Sequence, residues 1–250
     1  MKGYRFVKEN LKSEHGDIQW VLGEWQKCEG ELSLCKNGLH ASQKPVDSLD
    51  YIFGTRWFEC EARGKILKDR DKFCASEMRL LKEIPKDVLI QFAIDCAKKT
   101  LPIFEREYPN DKRPRKVIKA AELYLKNPNA LTCDAARTAY DASEAACTAS
   151  AARATWAGYD ASKADSTTRA AWAARAARAA YTASKAAYYA TYAISEAACE
   201  AASEAAWAAS EACEATSEAA RAAWATCSDW AAMKKWQNRH LLNLIRKEGK

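Results

Sequence analysis

Alanine dominates the second half of this chain and constrains its fold more than any other feature. Roughly 40% of residues 131–232 are alanine, the residue with the highest helix propensity. No glycine or proline lies between Gly158 and Gly249. One straight helix over this span would be on the order of 130 Å long, so we expect several helices that fold back on one another.

A seven-residue repeat indicates how these helices pack. Ser-Glu-Ala recurs at Ser203, Ser210 and Ser217, which is the period of a coiled coil with small residues at its interface. Glutamates flank this repeat, whereas residues 169–185 are rich in arginine, so we expect these two segments to pair in antiparallel fashion.

The first half has a different character. Strands are predicted at residues 4–7, 18–22, 31–35, 56–62 and 73–81, with a turn at Asn37-Gly38 and a short helix within residues 45–52. Pro85 and Pro114 are expected to begin helices, and Pro102 is expected to bend or break the first of these.

The predicted fold class is therefore α+β and mostly α. A small antiparallel β-rich domain at residues 1–84 would precede an alanine-rich antiparallel helical bundle or coiled-coil body at residues 85–250.

Charge and cysteine content indicate which partners and which cellular compartment to expect. The net charge of +6 is below that of a dedicated DNA-binding domain, so no sequence-specific nucleic-acid partner is expected. No apolar run approaches the roughly 20 residues that span a bilayer. The ten cysteines, without a recognisable signal peptide, are interpreted as free thiols in a bacterial cytoplasm.

The sharpest candidate for ligand or partner binding is Asp111-Lys112-Arg113-Pro114-Arg115. It places two guanidinium groups at a predicted helix start, where free backbone N–H groups also favour carboxylate or phosphate. Alternatively, Asp111, Arg113 and Arg115 brace the loop against neighbouring helices.

A second candidate lies in the alanine-rich body, where cations alternate with aromatic side chains that can stack on nucleobases. Its members are Arg169, Trp172, Arg175, Arg178 and Tyr181. The aromatic members serve equally well as the large core residues of an alanine bundle.

The N-terminal half offers weaker chemistry. His40, Tyr51 and Glu59 or Glu61 are a candidate nucleotide-handling set, and the alternative is a structural histidine beside a turn. Four cysteines there do not have the spacing of a known zinc site, and packing is the preferred interpretation. They are Cys28, Cys35, Cys60 and Cys74. No metal or cofactor is predicted.

Several segments resemble a family of immunity proteins found with bacterial polymorphic toxins. The similarity covers roughly residues 86–150 and includes Ala93–Ala97, Leu101–Glu105, Ile118–Glu122 and the Asp-x-Arg-Pro-Arg signature at Asp111–Arg115. That family continues into alanine-rich helices. Residues 30–41 and 57–64 resemble an uncharacterised domain common in phage and prophage proteins.

The resemblance implies a cytosolic, non-enzymatic binding protein of bacterial or phage conflict. It would neutralise an effector protein or sequester a small anionic, nucleotide-like signal, and it could form a homo-oligomer. Two alternatives remain open: a nucleotide transferase or hydrolase in the N-terminal domain, and a structural or ice-binding-like helical scaffold.

Overall fold

The computed structural model describes residues 1–54, 56–128 and 227–248. Two compact units are present. The first comprises residues 1–89 and the chain from Asn238 onward, and the second includes the described residues 90–128 and 227–237. The division predicted between residues 84 and 85 stays a prediction.

A long hairpin of two strands, β4 and β5, is the centre of the first unit. Strand β4 is Arg56–Lys68 and strand β5 is Phe73–Ile84. The turn between them is closed by a 2.8 Å hydrogen bond from the Asp69 N–H to the Lys72 carbonyl. Along β4, Phe58, Cys60 and Ala62 are buried, which is the period of two expected of a strand with one face in a core.

Three shorter strands complete an antiparallel sheet. They are β1 (Lys2–Val7), β2 (Gln26–Lys27) and β3 (Leu39–Ala41). Strand β1 pairs with β4, and both β2 and β3 pair with β5. Just beyond β3, Ser42 exchanges two backbone hydrogen bonds with Tyr4, at 2.8 and 2.9 Å. These bonds join β3 to β1 and close the sheet on itself.

The inner face of the closed sheet holds the main core. Phe58, Phe73, Met78 and Leu80 contribute from the central hairpin, all almost fully buried. Trp20 fills this core from the segment between β1 and β2, and its indole N–H donates to the Ser13 hydroxyl at 2.9 Å. A buried tryptophan needs such an acceptor, because an unpaired indole N–H in an apolar core is costly.

The outer face is covered in part around Trp57. This side chain is fully buried and stacks on Phe6 with the ring centroids 5.7 Å apart. Its indole N–H donates to the Ser48 hydroxyl at 3.1 Å, in the short helix α1 (Pro45–Ser48).

Three longer helices are described. They are α2 (Lys86–Glu107), α3 (Arg113–Lys126) and α4 (Cys227–Lys247). Of the bend or break predicted at Pro102, the break is wrong, because α2 continues through this residue, and the bend stays a prediction. Proline removes one helical hydrogen bond. In α2, burial of the apolar stripe that includes Val88, Leu89 and Phe92 offsets that loss.

The end of α4 contributes to the first unit. Lys82 donates from its ammonium group to the Glu248 carbonyl at 3.3 Å. Arg246 acts electrostatically on Tyr4, and burial raises the pKa of that phenol to about 12. The outer face of β1 and β5 is therefore reached by the last residues of the described chain.

The predicted fold class is wrong. The described chain has a five-stranded antiparallel sheet and few helices, so a mostly α bundle is not supported. The prediction extended alanine's helix propensity over half the chain, and propensity alone is a weak guide without tertiary packing. The repeat and most of the alanine-rich body lie outside the described residues.

Two of the predicted strands are also wrong. Residues 18–22 form no strand. Trp20 is inserted into the core and Ile18 packs against it, while the consecutive Val21 and Leu22 are both exposed. Residues 31–35 enter a tight turn in which Ser33 pairs with Asn37, and Cys35 takes a positive φ of 64° that breaks the extended pattern. The other three strands and the short helix are confirmed.

Candidate functional site

The Asp111–Arg113 pair forms the beginning of α3. The Arg113 guanidinium donates to both carboxylate oxygens of Asp111, with Nε–Oδ1 at 2.9 Å and Nη2–Oδ2 at 2.6 Å. The Arg113 backbone N–H also donates to Asp111 Oδ1 at 3.1 Å. Asp111 thus satisfies one of the N–H groups that a helix leaves unpaired in its first turn.

Arg115 makes a second forked pair, which connects α3 to α2. Its Nε and Nη2 each lie 2.6 Å from one oxygen of Glu105. This hydrogen-bonded cation holds the pKa of the Glu105 carboxyl below its usual range. Farther along, Lys98 of α2 pairs with Glu122 of α3 at 2.8 Å. The alternative of bracing against a neighbouring helix is supported by the contact of Arg115 with α2, whereas the Arg113 pair is local to the start of α3.

The outward side of α3 carries a stripe of positive charge. Its apolar residues Val117, Ile118 and Ala121 are buried on the opposite side. The exposed cations recur at helical spacing from the N-cap onward and define what we call the basic stripe: Lys112, Arg115, Lys116 and Lys119. Leu123 continues the same side and is 51% exposed. An exposed leucine beside unneutralised lysines is suited to contact with an acidic protein surface.

The weaker candidate set in the N-terminal domain is only partly brought together. The Lys72 ammonium lies 4.7 Å from the centroid of the Tyr51 ring. Its charge also adds to the burial that lowers the pKa of His40. The Tyr51 hydroxyl donates to Asp71 at 2.8 Å. Glu59 instead pairs in register with Tyr4 on β1.

His40 has a structural task in this turn. Its Nε2 accepts a hydrogen bond from the Cys35 backbone N–H at 3.0 Å, and it also hydrogen bonds with the Gly38 backbone. Burial, followed by the cations Arg5 and Lys72, lowers the pKa of His40 below 6.5. The neutral imidazole is the form that can accept from Cys35.

This geometry predicts a pH dependence. Because unfolding lets His40 take up a proton, the free energy of unfolding should fall as pH drops below 6.5, towards the lower folded-state pKa. Replacing His40 with Gln should flatten that part of the profile, measured as melting temperature against pH. The same change at the exposed His15 is the control. An unchanged slope in His40→Gln would contradict the assignment.

The candidate residues of the alanine-rich body lie outside the described residues. They are Arg169, Trp172, Arg175, Arg178 and Tyr181. Within the described ranges no group of three or more His, Cys, Asp or Glu side chains is placed to hold a metal ion. None of the helices in these ranges is both long and apolar enough to cross a membrane.

Sequence reasoning missed Arg5. Its guanidinium stacks on Trp20, with the Cζ atom 4.3 Å from the ring centroid. The alternation of β1 carried the signal, because a period of two places Arg5 on the same face as the buried Val7. A cation on the core-facing side of a strand is unusual enough to be noted from sequence alone.

Comparison with known families shows which family the chain belongs to. A family model described as "Imm-5 like putative immunity protein" matches residues 79–215, more than half of the sequence. The chain belongs to this family. The Imm-5 like region includes α3 and its basic stripe, and it extends beyond the residues 86–150 on which the resemblance was based.

The N-terminal residues match a different model. A domain of unknown function (DUF7666) covers residues 1–91, and so includes the whole closed sheet. No curated protein and no solved structure matched the chain. As an Imm-5 like protein, the chain is related to immunity proteins through residues 79–215. Its sheet belongs to the domain of unknown function at residues 1–91.

Proposed function

We propose that this protein neutralises an acidic effector protein, a bacterial toxin domain, by binding it through the basic stripe of α3. The observation that carries the proposal is the exposed row of cations within the segment that matches the immunity family. Neutralisation by binding needs a rigid, charged surface and no catalytic group. The two forked arginine pairs hold α3 in place and supply that rigidity.

The proposal includes the setting of bacterial or phage conflict and a non-enzymatic role. Family membership supports both, and the structural hydrogen bond of His40 supports the non-enzymatic role. Sequestration of a small anionic signal is the alternative that the same positive charge allows. Native mass spectrometry of the full chain, before and after mild denaturation, separates the two by showing either a bound protein or a released nucleotide-sized mass.

The direct test is neutralisation in a bacterial host. Toxin domains of polymorphic toxins are each expressed with and without the full chain, and growth and complex formation are measured. For a toxin that is neutralised, Lys112→Glu/Lys116→Glu/Lys119→Glu should weaken binding at least about tenfold, mainly through slower association. Lys65→Glu/Lys68→Glu/Arg70→Glu is the control, because it changes three exposed cations of the sheet by the same charge.

A charge swap separates contact from bracing at Arg115. Arg115→Glu alone places two carboxylates together and should destabilise the α2–α3 pair. Adding Glu105→Arg restores an ion pair of reversed direction, so melting temperature should recover. Binding to the toxin should stay weak in this double variant if the Arg115 cation contacts the partner. Full recovery of binding would show that Arg115 only braces the helices.

A further inference from the structure

Arg5 lies on the core-facing side of β1 among groups that are poor acceptors. Its Nη2 is 3.5 Å from the Ser13 hydroxyl oxygen, and its Nη1 is 3.7 Å from the Met78 sulfur. The first distance is long for a hydrogen bond, and thioether sulfur accepts weakly. Trp20 covers one face of the guanidinium. The side chain keeps partial solvent exposure.

Among the described residues, the Nε–Nη2 edge of Arg5 holds no carboxylate. Its Nε is buried and has no hydrogen-bond partner there, and Nη2 makes only the long contact to Ser13. Four other arginines of the described chain use the same Nε–Nη2 edge to grip a carboxylate. These are Arg56 with Glu83, Arg79 with Glu61, Arg113 with Asp111 and Arg115 with Glu105.

No acid in the described residues forms an ion pair with Arg5. The neighbouring thiol of Cys60 does not supply a negative charge, because burial raises its pKa to about 12. Burial also lowers the pKa of Arg5 to about 10, which still leaves it charged at neutral pH. A buried cation without a counter-charge is destabilising unless something else compensates it.

The positive potential of Arg5 extends beyond its own strand. The charges of Arg5 and Lys72 both add to the burial that lowers the pKa of His40 on β3. A positive potential of this kind favours an anionic ligand.

We propose that Arg5 anchors a binding site for a phosphate group in the N-terminal domain, with the Nε–Nη2 edge as its principal donor pair. The Ser13 hydroxyl, which accepts from Trp20 at 2.9 Å, has its own proton available to donate to the same oxyanion. Guanidinium and phosphate match in such forked geometry. This site is in a different domain from the basic stripe and does not depend on the proposed neutralising role.

Ligand entry would require the segment between β1 and β2 to move. Nε is closed off from solvent, and residues 8–20 supply both Ser13 and Trp20 to the guanidinium. Phosphate binding should therefore slow hydrogen exchange in residues 8–20, which gives a local readout that is independent of affinity.

The test is calorimetric titration of the full chain with sodium phosphate at constant ionic strength. We expect saturable binding that Arg5→Met weakens at least tenfold. Arg63→Met is the matched control, because Arg63 also stacks on a tryptophan, Trp25 at 3.9 Å, and pairs with Glu77 on the exposed face. It should bind phosphate within twofold of the original protein. Absence of saturable binding, or equal affinity in Arg5→Met, would overturn the proposal.

Two further experiments identify the source of the phosphate and show whether a variant that binds weakly is still folded. If adenosine monophosphate binds more tightly than phosphate, the ligand is a nucleotide, and if the two bind equally, it is the free anion. If adenosine binds as tightly as its monophosphate, the proposal of a phosphate site is refuted. Without ligand, Arg5→Met should melt at or above the original temperature, because it removes an uncompensated cation. Arg5→Lys keeps the charge without the fork and should also bind more weakly; unchanged affinity there would count against the forked edge.

Discussion

Replacing Trp57 with alanine is expected to destabilise the first unit by about 3–5 kcal/mol, the usual cost of truncating a fully buried tryptophan. The indole packs on Phe6 and donates to Ser48, so the variant leaves both a cavity and an unoccupied acceptor. Hydrogen exchange of the β1 and β4 amides measures the effect on this unit separately from the rest of the chain.

Trp25→Ala is the control for that experiment. Trp25 is only partly buried and lies between the guanidiniums of Arg63 and Arg79 on the outer face of the sheet. Losing two exposed cation–π contacts should cost about 1 kcal/mol or less each. Comparable protection losses in the two variants would mean that Trp57 is not the central residue of the outer-face packing.

Gly54→Ala adds only one methyl group but is expected to destabilise the first unit strongly. Gly54 has φ of +144°, and a Cβ built there would overlap the Val7 carbonyl group at the end of β1. Backbone strain of about 1–3 kcal/mol adds to a similar cost for displacing a packed strand. We therefore expect a loss of more than about 3 kcal/mol, measured by the same hydrogen exchange of β1.

Gly16→Ala provides the matched comparison. Gly16 also has a positive φ, +81°, but nothing lies within 4 Å of the added Cβ. It should lose only the conformational contribution, about 1–2 kcal/mol. If the two alanine variants were equally stable, the close approach of Gly54 to Val7 would have no energetic role.

Alternation alone did not decide which predicted strands form. The strands predicted within β1, β4 and β5 are confirmed, whereas residues 31–35 also alternate between polar and apolar side chains and form a turn. The segment with Trp20 failed because one large side chain in a core looks like part of a strand until its neighbours are seen to be exposed. Pairing across the sheet, such as Tyr4 with Ser42, joins residues whose separation no local pattern records.

The candidate site was predictable in part. The residues Asp111, Arg113 and Arg115 were identifiable from their spacing. Only the three-dimensional structure shows that Arg113 pairs with Asp111 and that Arg115 pairs with Glu105. The cations of the basic stripe were present in the sequence, but the stripe emerges only when the buried side of α3 is known. The core-facing position of Arg5 could have been noted from the alternation of β1, whereas its lack of an ion pair with any acid of the described residues is a three-dimensional property.

The hydrogen bond from Lys82 to Glu248 has a consequence for biosynthesis. It spans 166 residues of sequence, so the N-terminal sheet leaves the ribosome well before this helix end exists. At about 5–20 residues per second, the delay is on the order of 10–30 s. During that interval Lys82 and Tyr4 are without the hydrogen bond and the positive charge that the end of α4 supplies in the finished protein.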